Sequence, residues 1–130
     1  MQTIKLLFTI QAPIGQVWEA LTDPVIIAGW TAGPAKFEAI EGGKFSLWDD
    51  DIHGTNTKVV PNKLLEEDWY SESTSRRCYK VSFSLSEENE SSTIELRHAN
   101  VADNEVADFT DGWQRYYFEP IKLLLEDRNK

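Results

Sequence analysis

At 130 residues, with 41% apolar and 27% charged side chains, the chain is sized for one soluble domain, 1–130, built on a single core. Its one cysteine, Cys78, excludes an internal disulfide framework and fits a reducing compartment, so a cytoplasmic protein is expected. A net charge of −9, with no basic cluster beyond the pair Arg76-Arg77, excludes a phosphate-binding face, and nucleic acid is not an expected partner.

Ile4, Leu6, Phe8 and Ile10 alternate with Lys5, Leu7 and Thr9, the period-two pattern of a strand over 2–10 with one face in the core. Pro13 follows, suited to a first helical turn, and Ile14, Val17, Trp18 and Leu21 recur at helical spacing. Asp23 then caps a second short helix, Pro24 to Ala28. From Phe37 the chain returns to short extended runs: Phe37 to Ile40, Lys44 to Trp48, Ile52 to Val60 and Lys63 to Tyr70, separated by Glu41-Gly42-Gly43, Asp49-Asp50-Asp51 and Pro61-Asn62. Ser71 to Arg77 reads as a longer loop. Tyr79, Val81, Phe83 and Leu85 then face the core, which sets Cys78 on the polar side. After an acidic turn over Ser86 to Ser92, Thr93 to Ala99 forms a last strand with Ile94, Leu96 and His98 on one face. The closing segment changes period: Val106, Phe109, Trp113, Tyr116 or Tyr117, Ile121, Leu124 and Leu125 mark a long amphipathic helix. Pro120 should bend it near Tyr116 or Tyr117, and Gly112 either weakens it or admits a strand closely. No run of apolar residues is long enough to span a membrane; the longest is Val25 to Trp30, and the amino terminus lacks the pattern of a signal peptide.

Strand, two short helices, antiparallel hairpins and a long final helix make an α+β arrangement with six or seven strands and one helix across the sheet. Within that order, Ala12-Pro13, Val17-Trp18-Glu19-Ala20-Leu21-Thr22-Asp23-Pro24, Gly42-Gly43-Lys44-Phe45, Gly54, Val60-Pro61, Trp69 and the run Gly112 to Glu119 resemble the activator of heat-shock protein 90 ATPase homologue family. That family lies in the START-like (SRPBCC, Bet v 1-like) helix-grip superfamily. The resemblance implies a curved antiparallel sheet gripped by the carboxy-terminal helix, with a cavity between them that in many members holds an apolar ligand. It also implies a heat-shock protein 90-type chaperone as partner and a role in the stress response. The chain leaves no room for the second domain of the eukaryotic co-chaperones, so it is expected to resemble the stand-alone bacterial members.

Other chemistry is sparse. Asp49, Asp51, His53 and Gly54 match part of a calcium-loop template, but Val60 stands where a bidentate Glu is needed, and His53, His98 and Cys78 have no zinc spacing, so no metal and no cofactor are expected. Nucleophile elbows, phosphate loops and dinucleotide fingerprints are missing, and a non-enzymatic role is expected. An enzyme on this scaffold would rest on His98 and Glu67. His98, on an apolar face, is either a structural histidine or a proton-exchanging one, and Glu67 beside Trp69 is either a carboxyl of raised pKa or a group at the sheet rim in water. The aromatic residues, 12% of the chain, either fill the core or line a cavity. The candidate ligand-binding residues are Trp48, Trp69, Phe83, His98, Trp113 and Tyr117.

Overall fold

The computed structural model describes residues 1–72 and 77–129. Seven strands, β1 (Gln2–Ile10), β2 (Ala35–Phe37), β3 (Lys44–Leu47), β4 (Ile52–Val60), β5 (Leu64–Ser71), β6 (Tyr79–Glu88) and β7 (Ser91–Val101), form one antiparallel sheet in the order β1-β7-β6-β5-β4-β3-β2. The inner face follows the period-two reading: Ile4 and Ile10 on β1, Leu65 and Trp69 on β5, Tyr79, Val81 and Phe83 on β6, and Ile94 and Leu96 on β7 are all buried.

Two helices, α1 (Ile14–Thr22) and α2 (Pro24–Thr31), bridge from one edge of the sheet to the other. Asp23 ends the first and caps the second, its Oδ1 accepting the Val25 backbone N–H at 2.9 Å with Pro24 in the first turn. α2 runs to Thr31 rather than stopping at Ala28, because Ile27 and Trp30 share a buried face and Ala32, at φ 56°, supplies the left-handed terminus.

Turn chemistry sets the strand ends. The acidic stretch Ser86 to Ser92 is not an open turn: β6 and β7 pair to Glu88 and Ser91, and Asn89 and Glu90 (φ 52° and 66°) alone make the reversal. Likewise β2 precedes the expected Phe37 to Ile40 segment, since Ile40, Gly43 and Asn56 are tied by backbone hydrogen bonds into a loop. Gly54 is required by contact, as a Cβ there would fall inside the Asp68 carbonyl on the neighbouring strand. The expected loop from Ser71 to Arg77 lies largely outside the described residues; Ser71 belongs to β5. Cys78 is a half-buried free thiol just ahead of β6.

The closing helix is not uniform. A 3₁₀ turn at Asp103–Glu105 leads into α3 (Val106–Gly112), then a π-helical segment at Trp113–Phe118, then α4 (Glu119–Arg128). Pro120 has no N–H for the Tyr116 carbonyl, and the winding widens ahead of it: the Glu119 N–H reaches back to the Gln114 carbonyl, five residues away. The expected bend is thus taken up as a π turn, which sets Trp113, Tyr117 and Phe118 together against the sheet, all buried. Of the two expectations for Gly112, the close approach of a strand does not hold, as a Cβ at that position meets nothing within 4 Å.

Candidate functional site

Between the inner face of the sheet and the π-helical segment lies a cavity of about 580 Å³. Trp48, Trp69, Phe109, Trp113, Tyr116 and Tyr117 supply its aromatic walls, Asp51, Glu105 and Asp108 its carboxylates, and Gly112 an open stretch of helix. Trp69 meets Trp113 with ring centroids 5.3 Å apart, and Trp113 meets Tyr117 at 4.8 Å. Trp48 arrives by a different route. Phe45 and Leu47 point inward on β3, so continued alternation would send Trp48 outward. Instead Trp48, Asp49 and Asp50 all take positive φ (52°, 54° and 70°), and the indole lies near Trp30 and Tyr117, its Nε1–H donating to the Thr31 carbonyl at 3.2 Å.

Four of the six candidate residues, Trp48, Trp69, Trp113 and Tyr117, come to the cavity surface. Phe83 and His98 do not. Phe83 is fully buried behind the wall, stacked on Tyr117 at 5.9 Å. His98 is enclosed by Trp69, Tyr79, Phe109 and Trp113. Its Nδ1 accepts the Trp113 indole N–H at 2.9 Å. An indole nitrogen can only donate, so His98 is the neutral tautomer with its proton on Nε2. Burial pushes its pKa down to about 4, which keeps it in that state.

Glu67 is not at the sheet rim. It is 2% exposed, and neither carboxyl oxygen has a hydrogen-bond partner among the described residues. Burial alone raises its pKa to about 8. Its place follows from register: Asn56, Glu67, Val81 and His98 stand directly opposite one another across β4, β5, β6 and β7. Asn56 Oδ1, Trp69 Nε1 and His98 Nε2 are also buried without partners, so polar groups with unused hydrogen-bonding capacity gather on this part of the inner face. Tyr117, in the cavity wall, has its pKa raised well above the ordinary phenol value by burial and by the charge of Glu67.

Sequence reasoning passed over Phe109, Asp108, Glu105 and Asp51 as wall residues. Phe109 carried a signal, its helical spacing to Trp113. Glu105 carried only a cap-like position ahead of the helix, kept by the Ala102 N–H donating to it at 3.1 Å, whereas its place in the wall depends on distant partners: it accepts hydrogen bonds from Arg77 at 2.8 Å and the Tyr79 hydroxyl at 3.1 Å. His53 faces away from this site, bonded to Glu72 at 2.8 Å, and among the described residues no group of His, Cys, Asp and Glu could hold a metal ion. Among the described residues no helix is long and apolar enough to cross a membrane.

Residues 11–126 match the family described as activator of Hsp90 ATPase homolog 1-like protein. The chain belongs to this family. The human activator of 90 kDa heat shock protein ATPase homolog 1 is 28% identical over 108 residues, a match covering 82% of this chain and 32% of that protein. The chain therefore spans about a third of the length of the curated relatives it matches. Among solved structures, an HSP90 activator from Plasmodium falciparum superposes with a TM-score of 0.86 at 19% identity, covering 97% of both chains. CalU16 from Micromonospora echinospora gives a TM-score of 0.80 at 27% identity, over 94% of this chain and 73% of that one. The α+β helix-grip fold of the activator homologue family is thus the fold of this chain, with the cavity where the helix meets the sheet.

Proposed function

We propose that this chain is a binding module for a small apolar ligand, held between the sheet and the π-helical segment. The observation that carries this reading is the cavity itself: about 580 Å³, within the range of small-molecule sites, with aromatic walls and a few polar groups. A binding role is favoured over an enzymatic one because His98 and Glu67, the two candidate proton-transfer groups, do not reach the cavity surface.

Gly112 offers the test. It lines the cavity with open space around the position of a Cβ, so Gly112→Phe should project a ring into the site and remove a glycine from a helix, a change worth up to about 1 kcal/mol in favour of folding. Titration of the neutral fluorophore N-phenyl-1-naphthylamine should give a dissociation constant at least about tenfold weaker in the variant, the loss expected when a pocket is occluded by a buried ring. Equal binding by both proteins would place the ligand elsewhere.

The relatives named as activators of a heat-shock protein ATPase favour a second reading, docking on a heat-shock protein 90-type chaperone. Adding such a chaperone to the isotope-labelled protein should broaden or shift a contiguous set of amide signals on one face. Spectra unchanged at a several-fold excess of chaperone would remove this reading.

A further inference from the structure

We propose that the cavity selects small organic cations, with an ammonium centre on an apolar body of a few rings, over neutral and anionic molecules of the same shape. This rests on the reading of the cavity as a ligand site and adds the charge of what enters it.

The walls present aromatic rings, whose faces carry the negative lobe of the ring quadrupole and attract cations; a trimethylammonium group, weakly hydrated and apolar at its surface, gives up little to leave water. Among the described lining residues there is no Lys or Arg, and three are carboxylates. Arg77 engages one of them, Glu105, at 2.8 Å. Asp51 and Asp108 form no ion pair among the described residues, so the negative charge they bring to the cavity is uncompensated. Asp51 is held there by the same turn that carries Trp48 inward, its N–H donating to the Trp48 carbonyl at 3.2 Å. Asp108 stands next to Phe109 on α3. An anionic ligand would meet two unpaired carboxylates in a chain already at −9, whereas a cation would supply the charge they lack.

A second feature lies behind the wall. Glu67 is on the same face of β5 as Trp69, one side-chain repeat or about 6.8 Å along the strand. Its carboxyl is buried without a partner, and its charge is felt by Tyr117. At neutral pH this carboxyl holds its proton, and a cation lying against Trp69 and Tyr117 would favour its ionised form.

The test uses two probes of one shape, benzyltrimethylammonium and its neutral isostere neopentylbenzene, with 3-phenylpropionate as the anion. Each is titrated at low ionic strength into the protein and the Asp51→Asn/Asp108→Asn double variant, read by calorimetry and tryptophan fluorescence. In the unaltered protein the cation should bind at least about tenfold more tightly than the neutral probe, and the anion most weakly. In the double variant that ratio should fall to about threefold or less, while the neutral probe binds within about twofold of its original affinity. Neutral binding as tight as that of the cation would overturn the charge preference and leave the ligand-binding reading standing. A preference undiminished in the double variant would overturn its assignment to these carboxylates. No binding of any probe at millimolar concentration would overturn both readings.

Discussion

Urea unfolding measured across the pH range should give greatest stability between pH 4.5 and 6.5, with a decline on the alkaline side centred on Glu67. The folded pKa of Glu67, about 8, stands above its ordinary value of 4.5, so the folded state holds a proton that the unfolded chain has released. Stability from that proton is complete below pH 4.5 and is lost as pH rises through about 8. A shift of this size corresponds to about 3–5 kcal/mol between the two limits. His98 works in the opposite sense. Its pKa falls from 6.5 to about 4 on folding, so the unfolded chain binds the extra proton and stability drops as pH falls from 6.5 toward 4. Between pH 4.5 and 6.5 the two slopes cancel, leaving a plateau. Glu67→Gln should flatten the alkaline limb and, with nothing left to offset His98, extend the acid limb up to pH 6.5, making the variant more stable than the parent above about pH 8. An alkaline decline that persists in the glutamine variant would show that Glu67 is not its source.

Truncating Trp113 should have a comparable effect. Trp113→Ala removes ring contacts with Trp69, Phe83, Tyr117 and Phe118 and enlarges the cavity, for a loss of about 3–5 kcal/mol. Trp113→Phe separates the polar part of that loss from the packing part. It keeps a ring in the wall but leaves His98 Nδ1 buried with no donor, a cost of about 1–3 kcal/mol. Denaturant midpoints of both variants measure the two losses. Nitrogen chemical shifts of the His98 imidazole, read alongside, should report the Nε2–H tautomer in the parent and a mixture in Trp113→Phe. Equal stability of the phenylalanine variant and the parent would mean that the indole N–H contributes nothing.

The strands and helices were legible because their signals are local. Period-two alternation in Tyr79 to Leu85 and helical spacing from Val106 to Leu125 arise from one stretch of backbone each, and the folded chain keeps both faces. Asn89 and Glu90 were harder, since a two-residue reversal with both residues left-handed looks in sequence like part of a longer acidic loop. The site was legible only in part, for a physical reason. Trp69, Trp113 and Tyr117 announce themselves by sitting on apolar faces, whereas Trp48 depends on a left-handed turn that reverses where alternation would send it. Glu67 could have gone either way, because its burial depends on which residues of β4 and β6 stand opposite it, and those partners are Asn56 and Val81, set by pairing across the sheet. Asp51 and Asp108 lie 57 positions apart and acquire a common meaning only once a hairpin turn and a helix close on the same space.

The wide turn at Trp113–Phe118 also bears on how this chain tolerates changes in length. A π turn carries more residues than an α turn over the same path, so the segment holds spare backbone. Deleting one residue there would let ordinary α winding resume along the same path, with Ile121 and Leu125 still facing the core and Lys122 and Leu123 still outside. α4 holds no such slack: a deletion between Ile121 and Leu125 would rotate everything beyond it by about 100° and turn Leu125 off the sheet. A single-residue loss is therefore absorbed at the π turn and becomes a change of facing in the helix that follows it.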